Sequence, residues 1–265
     1  VRVKPPFLDK SFWSDRRVFV TGHTGFKGSW LTLWLDLLGA KVKGYSLEPD
    51  TSPNLFDSLN LKERCEHVIG DISDFGNLQR ELADFRPETV FHLAAQPLVR
   101  RSYDAPLLTF QSNVMGTANL REACRAVPSL DSIVIVTTDK CYENKSDGQP
   151  FVETDRLGGF DPYSASKACA ELTVGSFRDS FFNVSNYANH GISLATARAG
   201  NVIGGGDWSP TRLVPDAMRA FSSGETLQIR MAHAVRPWQH VIEPLLGYLL
   251  LAQKCALDGA HYSQA

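Results

Sequence analysis

The chain has 265 residues, of which 43% are hydrophobic and 21% are charged, as in an ordinary globular protein with one large or two unequal domains. Its net charge of -2 gives no electrostatic reason to expect nucleic acid or an anionic membrane as a partner. No apolar stretch approaches the roughly 18 residues of a membrane span, and the opening residues lack the apolar core of a signal peptide.

Short apolar stretches alternate with longer amphipathic ones through the first 200 residues. Strands are predicted at residues 16–22, 41–47, 67–71, 89–95, 132–138 and 192–200. Helices are predicted at residues 28–39, 75–85, 113–127 and from about Tyr163 to Phe182. This order predicts an α/β fold, a Rossmann-like doubly wound parallel sheet with helices on both faces.

After about Gly200 the sequence changes to a glycine-rich polar loop, followed by predicted helices at residues 213–224 and 243–255. We therefore divide the chain into a dinucleotide-binding Rossmann domain at residues 1–200 and part of a smaller substrate-binding lobe at residues 201–265. The final "HYSQA" has no stop signal and reads as the middle of a strand, so we expect the native protein to be longer.

The first predicted strand runs into "TGHTGFKGSW", where Gly22, Gly25 and Gly28 are spaced three apart. Glycines allow a tight turn and a close backbone approach to a pyrophosphate, and the next helix supplies amide donors. A glycine trio alone is often only a turn, but this one follows a strand and precedes a helix, which predicts dinucleotide binding. The GxxGxxG spacing is typical of folds like the short-chain dehydrogenase/reductases.

Two positions bear on the adenosine end of such a cofactor. Asp71, after the third strand, can meet the adenine amino group or cap a helix, and both roles can hold at once. Ser46 ends the second strand where a carboxylate would bind the ribose of NAD, and no arginine is there to hold a 2′-phosphate. NAD is therefore favoured over NADP, and its binding is predicted to be weak.

A tyrosine and a lysine stand four apart in "PYSASKACAE", at the start of a predicted helix, so Tyr163 and Lys167 share one face. A nearby ammonium and the positive nicotinamide ring are expected to lower the pKa of Tyr163, making it a base toward an alcohol. Thr138 would orient that alcohol. The alternative for Tyr163 and Lys167 is a surface pair on the helix. The alternative for Thr138 is a hydroxyl that caps a loop.

Two opposite charges follow the buried strand directly in "VTTDKCYEN". One interpretation is a turn with a solvated ion pair. The other is chemical, with Asp139 as a proton donor and Lys140 as a proton acceptor over a substrate. That chemistry needs a proton on Asp139 and a neutral Lys140, and both requirements run against a direct ion pair. We therefore predict that the two side chains point at different atoms of the substrate.

Seven stretches spread from Thr21 to Leu245 resemble the extended short-chain dehydrogenase/reductases that act on nucleotide sugars, and among them the 4,6-dehydratases. They are "TGHTGFKGSWL", "KGYSLEP", "VFHLAAQPLV", "TTDKCYEN", "PYSASKACAE", "RAGNVIGGGDW" and "RPWQHVIEPL". The resemblance implies a lyase that converts CDP-glucose with NAD to the 4-keto-6-deoxy sugar, for the dideoxy sugars of bacterial O-antigen. Relatives that act on dTDP-glucose carry Asp-Glu after the threonine, so Asp-Lys here supports the CDP-sugar subgroup.

The resemblance also implies ligand contacts. The further cofactor contacts would be Thr24, Phe26, Lys27, Ile72, Leu93, Ala94, Ala95 and Thr137. The nucleotide-sugar contacts would be Gln96, Asn201, Arg212, Leu213 and Arg236. Arginine suits a diphosphate because its planar fork of donors matches phosphate oxygens. The alternative for Arg212 is a surface charge, and Asn201 could instead brace the loop at residues 204–206.

Two rival functions remain at this point. A nucleotide-sugar 4-epimerase of the same fold needs the turn, Thr138, Tyr163 and Lys167 but no acid/base pair beside the threonine. A non-catalytic dinucleotide sensor would typically lose the Tyr-Lys pair. Apolar helices near residues 107–126 and 163–182 could form an intersubunit bundle as in relatives, so a homodimer or homotetramer is expected.

The cysteines and histidines give no sign of a metal site. The five cysteines include no CxxC pair, and the seven histidines include no HxxxH pair. We therefore expect neither a metal nor a disulfide framework, and we place the protein in the reducing cytoplasm.

Overall fold

A six-stranded, entirely parallel sheet forms the centre of the computed structural model, which describes residues 8–144 and 148–263. The strand order is β3-β2-β1-β4-β5-β6. The strands are β1 Arg17–Thr21, β2 Lys41–Ser46, β3 Glu66–Ile69, β4 Thr89–His92, β5 Ser132–Thr138 and β6 Ser193–Ala199. This is the predicted doubly wound fold, in which the order reverses between β1 and β4 and leaves a crevice at the carboxyl ends of the strands.

The helices are α1 Lys10–Trp13, α2 Phe26–Leu38, α3 Leu55–Ser58, α4 Phe75–Phe85, α5 Val99–Asp104, α6 Pro106–Phe110, α7 Gly116–Cys124, α8 Pro162–Phe181, α9 Tyr187–His190, α10 Leu213–Ser222, α11 Ile242–Leu257 and α12 Gly259–Tyr262. α4, α7 and α8 cover one face of the sheet. α1, α2 and α11 cover the other. Every residue of β4 and β5 is buried, as expected of strands covered on both faces.

The predicted helix at residues 113–127 contains an irregularity that the sequence pattern did not indicate. α6 and α7 are joined by one turn of π-helix, Gln111–Met115. The turn holds Asn113, whose side chain is almost fully buried and hydrogen-bonded, as described below. Such turns insert an extra residue into a helix and are frequent at functional sites.

A second, two-stranded parallel sheet lies beyond β6. It pairs β7 Asn201–Ile203 with β8 Trp238–His240, and α10 lies between them in the chain. α11 instead packs on the main sheet, where Leu245 and Leu249 join the core. Residues 201–241 are therefore the part that projects from the sheet, and we call them the projecting lobe.

The prediction of a strand at the end of the chain is wrong for the described residues. His261 and Tyr262 lie in the short helix α12, not in a strand. The N–H groups of both donate to the carbonyl of Asp258, which closes a helical turn. Gln264 and Ala265 lie outside the described residues. Among the helices of the described ranges, none has both the length and the apolarity to cross a membrane.

Candidate active site

The glycine-rich turn between β1 and α2 has the backbone conformation that a dinucleotide requires. Gly22 has φ +76°, and its N–H donates to the carbonyl of Tyr45 over 2.9 Å. A Cβ at Gly22 would lie 2.7 Å from the amide nitrogen of Ala94, and a Cβ at Gly28 would lie 2.0 Å from the carbonyl oxygen of Gly22. α2 starts directly after Gly25, which has no side chain to cap the first amides. Those amides can therefore face a pyrophosphate.

The far end of this crevice is lined by short polar side chains. The hydroxyls of Thr24 and Ser46 lie 2.7 Å apart, which ties the turn to the end of β2. The exposed Asp71 accepts a hydrogen bond from the N–H of Ser73 over 2.8 Å. Asp71 does not cap α4, because the N-cap residue of that helix is Asp74. Its carboxylate therefore stabilises a turn at the edge of the crevice.

The other predicted cofactor contacts follow the strands of the same edge. Leu93, Ala94 and Ala95 come directly after β4, Ile72 follows β3, and Thr137 lies at the end of β5. The N–H of Ala94 donates to the hydroxyl of Thr21 over 3.2 Å, which fixes this segment beside the glycine-rich turn.

Four cations converge near the start of α2. The Nζ of Lys27 lies 3.5 Å from the hydroxyl of Tyr248 on α11. Burial, together with the charges of Lys167, Arg212 and Lys140, lowers the pKa of Lys27 to about 7. Among the described residues Lys27 has no ion-pair partner. We call Lys27, Lys140, Lys167 and Arg212 the cation cluster, and its charge suits a diphosphate.

α8 carries the tyrosine and the lysine on an inward face. The helix begins at Pro162 behind Asp161, a combination that favours a helix start. Tyr163 is 8% exposed and Lys167 is 7% exposed. The alternative of a surface pair on the helix is therefore wrong.

Tyr163 and Lys167 each bond to the end of β5. The hydroxyl of Thr138 shares a side-chain hydrogen bond with Tyr163, and the Nζ of Lys167 donates to the carbonyl of Val136 over 3.3 Å. Burial raises the pKa of Tyr163 to about 12 and lowers that of Lys167 to about 8. The expected lowering of the pKa of Tyr163 is therefore wrong for the protein alone, because burial outweighs the neighbouring cations.

The two charges after β5 form a direct ion pair, a contact that the chemical interpretation runs against. That they point at different atoms of a substrate stays a prediction. The Nζ of Lys140 lies 3.1 Å from Oδ1 of Asp139 and 3.1 Å from Oδ1 of Asn201. Asp139–Cys141 is a 3₁₀ turn, in which consecutive side chains can reach each other. The hydroxyl of Thr138 donates to Asp139 over 3.1 Å. The Lys140 side chain is 32% exposed and that of Asp139 is 28% exposed, so a substrate can reach both.

A buried ion-pair network beneath these groups was missed by the sequence reasoning. Arg198 on β6 donates to both carboxylate oxygens of Glu171 on α8 over 2.9 Å, and to the hydroxyl of Tyr142 over 2.8 Å. The hydroxyl of Thr137 donates to the same carboxylate. The available signal was the acid in "KACAE", four residues after Lys167, but its partner is remote in the chain. We call these residues the Glu171–Arg198 network.

Gln96 lies away from the open part of the site. Its Nε2 donates to the hydroxyl of Thr109 over 2.9 Å, and its Oε1 accepts from the N–H of Leu98 over 2.7 Å. Asn113 accepts from the N–H of Gln96 over 2.8 Å and donates to the hydroxyl of Ser166 over 2.8 Å. The π-helical turn thus braces α8 against the segment after β4, and Gln96 is part of this brace.

A cavity of about 1440 Å³ opens beside the ion pair, between β6, α8, α11 and the loop before α8. Asp139, Lys140, Arg198 and Arg236 are among its lining residues. Arg236 is exposed, and within the part of the chain that the structure describes its guanidinium donates to the carbonyl of Val235 alone, over 2.7 Å. This predicted substrate residue therefore lies at the cavity but is held loosely.

Arg212 is held more firmly than Arg236. Its guanidinium donates to Asp207 over 2.8 Å, and the side chain of Asp207 is only 5% exposed. The charge of Arg212 acts on both Lys27 and Tyr163. The structure therefore brings Arg212 to the centre of the site, whereas Leu213, at the start of α10, stays 43% exposed. Within residues 8–144 and 148–263, no group of three or more His, Cys, Asp or Glu residues is placed to hold a metal ion.

Comparison with known sequences identifies relatives of this chain. A family model described as GDP-mannose 4,6 dehydratase matches residues 19–260. CDP-glucose 4,6-dehydratase of Salmonella typhimurium is 52% identical over 257 residues, which cover 97% of this chain and 72% of that protein. dTDP-glucose 4,6-dehydratase of Xanthomonas campestris is 29% identical over 234 residues, which cover 84% of this chain and 63% of that protein.

Solved structures of the same fold include nucleotide-sugar enzymes with ligands. A double mutant of the dTDP-glucose 4,6-dehydratase DesIV from Streptomyces venezuelae, solved with NAD, has a TM-score of 0.76 and 25% identity, covering 89% of this chain and 71% of that chain. MoeE5 in complex with UDP-glucose and NAD has a TM-score of 0.75 and 26% identity, covering 91% of this chain and 73% of that chain.

Proposed function

We propose, from the premise that this chain belongs to the GDP-mannose 4,6 dehydratase family, that it converts CDP-glucose to CDP-4-keto-6-deoxyglucose with NAD. The family membership confirms the resemblance predicted from the sequence, and the chain is an NAD-dependent nucleotide-sugar 4,6-dehydratase. The observation that carries the proposal is local. Thr138, Tyr163 and the Asp139–Lys140 pair meet at the end of β5, where an oxidation and a water loss could act on one sugar.

The glycine-rich turn fits NAD. Gly22 and Gly28 keep the backbone close enough for a pyrophosphate, and the first amides of α2 face it. Lys27 adds a positive charge at this place. When bound there, NAD would supply the hydride acceptor for oxidation at C4 of the sugar and the hydride donor for reduction at C6.

The residues at the end of β5 and on α8 would divide the proton transfers. Tyr163 would remove the proton of the C4 hydroxyl once the positive ring of bound NAD lowers its pKa, which burial raises in the protein alone. Thr138 would hold that hydroxyl, and Lys167 would supply a stabilising positive charge. The resulting ketone acidifies the hydrogen at C5. Lys140 accepts the C5 proton, and Asp139 donates a proton to the departing C6 hydroxyl. The Asp139–Lys140 contact must open when the sugar enters, with a proton passing from the Lys140 ammonium to the Asp139 carboxylate, so that a neutral amine meets C5 and a protonated acid meets the C6 hydroxyl.

The cations of the projecting lobe support a nucleotide diphosphate as the anchor of the substrate. Arg212, oriented by Asp207, lies near enough to Tyr163 for its charge to act on the phenol, and it can bind phosphate oxygens through its planar fork. Arg236 lies at the cavity and adds a second guanidinium. Asn201 bonds to Lys140, so it positions the proposed base as well as bracing β7.

The proposal includes an assembly and a biological setting. Large apolar side chains are exposed on the helices that were expected to form an intersubunit bundle, including Leu107 at 84%, Met115 at 55% and Leu172 at 62%. Burying them between two copies would favour a homodimer or a homotetramer. We place this activity in the cytoplasm, early in the synthesis of O-antigen dideoxy sugars of lipopolysaccharide.

Product analysis separates this function from its rivals. The protein is incubated with NAD and CDP-glucose, and then with dTDP-glucose and UDP-glucose as matched substrates. A 4-keto-6-deoxy product formed fastest from CDP-glucose is expected. A C4-epimerised sugar would support a 4-epimerase instead, and NAD binding without any product would support a sensor.

A further inference from the structure

We propose that Glu171 is a positioning residue, whose carboxylate keeps the buried Lys167 ammonium charged and aligns α8 with the end of β5. This inference rests on the proposed function, since it concerns the lysine that assists oxidation of the sugar. Glu171 stands one helical turn after Lys167, which itself stands one turn after Tyr163, so the three share a face of α8. Its charge acts directly on Lys167.

Two successive residues of β5 fix this alignment. The carbonyl of Val136 accepts from Lys167, and the hydroxyl of Thr137 donates to Glu171. The next residue, Thr138, meets Tyr163. Three consecutive strand residues therefore meet three consecutive turns of one helix face, and Glu171 forms the last turn of that series along α8.

Arg198 holds the carboxylate in place and keeps it ionised. It donates to both oxygens of Glu171, whose side chain is only 4% exposed. Burial opposes ionisation, but the hydrogen bonds from Arg198 and Thr137 outweigh it and hold the pKa of Glu171 below its usual value. The network thus presents a fixed negative charge to the underside of Lys167.

Other titratable groups near Lys167 cannot take this part. They are Cys141 on the 3₁₀ turn, His92 on β4, Lys27 on α2 and Tyr163 on α8 itself. Burial raises the pKa of Cys141 to about 12 and lowers that of His92 to about 3, so both are neutral near neutral pH. Lys27, with its pKa lowered to about 7, is a cation only below that pH and then disfavours a second positive charge. Glu171 is therefore the anion of this set that faces Lys167.

The sign of the pH effect follows from this arrangement. Burial lowers the pKa of Lys167 to about 8, and Glu171 opposes that lowering. Lys167 is charged below this pH and loses its charge above it, so oxidation of the sugar should fall on the alkaline side. Without the charge of Glu171, that fall should begin at a lower pH.

The test compares variants in the C4 oxidation of CDP-glucose, measured as a single turnover across neutral and alkaline pH. Glu171→Gln keeps the shape and removes the charge, and the alkaline fall is expected to move about one pH unit or more toward acid. Thr137→Val removes one hydrogen bond from the network but leaves Glu171 paired with Arg198, so it should slow the reaction without this shift. Glu122→Gln removes the charge of an exposed ion pair on α7 and serves as the matched control.

An alkaline fall of Glu171→Gln that coincides with wild type would overturn the inference, even if the variant is slow. The same acidward shift in Thr137→Val would also overturn it, since it would show a general loss of packing. If Glu171→Gln does not fold, Glu171→Asp keeps a charge but withdraws it from Lys167, and a smaller shift of the same sign is expected. An unshifted Glu171→Asp would then decide against the inference.

A second readout does not depend on the sugar. NAD affinity, measured by titration over the same pH range, should weaken as Lys167 loses its charge, and at a lower pH in Glu171→Gln. If wild type does not oxidise CDP-glucose, the proposed function fails while this binding series still decides the role of Glu171. Equal pH dependence of NAD binding in wild type and Glu171→Gln would contradict that role.

Discussion

The end of β5 and the projecting lobe hold their polar groups in opposite ways. At the strand end, Glu171 accepts hydrogen bonds from Thr137 and Arg198, and Tyr163 and Lys167 are both buried. In the lobe, Arg236 is exposed, and its one side-chain hydrogen bond within the described residues goes to the neighbouring carbonyl of Val235. The difference indicates that Tyr163 and Lys167 are preorganised, whereas Arg236 can adjust to a nucleotide.

The largest loss of sugar oxidation is expected from a substitution at the end of β5, where the polar groups are preorganised. Tyr163→Phe removes the proposed acceptor of the C4 hydroxyl proton, and oxidation of the sugar should fall by about 10²–10⁴-fold with the fold intact. Single-turnover oxidation and a thermal melt measure the two quantities. Tyr103→Phe, at a tyrosine that is 58% exposed, is the matched control. Near-normal turnover in Tyr163→Phe would remove this residue from the mechanism.

A smaller effect, on the affinity for NAD, is expected at the ribose end of the cofactor crevice. Ser46 bonds to Thr24 and offers no carboxylate to the ribose. The missing charge-assisted hydrogen bond is on the order of 1.5–3 kcal/mol, or roughly 10- to 100-fold in affinity. We therefore expect partial loss of NAD on purification and a gain in activity when NAD is added. Full NAD occupancy after purification, or stronger activation by NADP, would contradict this.

Within the lobe, Arg212 should matter more than its neighbours because Asp207 orients it toward the site. Arg212→Ala is expected to raise the KM for CDP-glucose by about 10-fold, the size of one charge-assisted hydrogen bond, with a smaller change in kcat. Asp207→Asn keeps the arginine but loosens it, and should raise the KM less. A fall in kcat alone in Arg212→Ala would indicate that Arg212 takes part in the chemistry. It would contradict the division between a strand end for chemistry and a lobe that holds the nucleotide.

The smallest effect is expected for Arg236. An exposed cation contributes roughly 0.2–1 kcal/mol, so Arg236→Ala should raise the KM by less than about 5-fold. Steady-state kinetics at two salt concentrations measure this, because screening weakens exposed charges further. A loss as large as that of Arg212→Ala would show that the loosely held arginine becomes firmly placed when the nucleotide binds.

The sequence was sufficient where a local pattern determines the structure. Six apolar runs became the six strands, and the glycine spacing located a turn that only glycine can form at Gly22 and Gly28. The four-residue spacing placed Tyr163 and Lys167 on one helix face, and burial then turned that face inward. These features depend on period and on backbone sterics, which short stretches of sequence carry.

The parts that were missed depend on side chains that are distant in the chain. Glu171 and Arg198 lie 27 positions apart, and only the packing of α8 against β6 brings them together. Asn113 turns inward through a π-helical irregularity that leaves no mark in the hydrophobic pattern. The contact between Asp139 and Lys140 was not predicted, because the chemistry was considered before the local geometry of the 3₁₀ turn.

The account's central claim is that the Asp139–Lys140 pair carries out the dehydration that follows oxidation. The most direct measurement is exchange of the C5 hydrogen of CDP-glucose in deuterated water, in wild type, Lys140→Met and Asp139→Asn. Both variants should still oxidise C4, but Lys140→Met should no longer exchange the C5 hydrogen, and Asp139→Asn should retain exchange while losing water slowly. Wild-type exchange in Lys140→Met would contradict the claim and assign the C5 proton to another group or to a water.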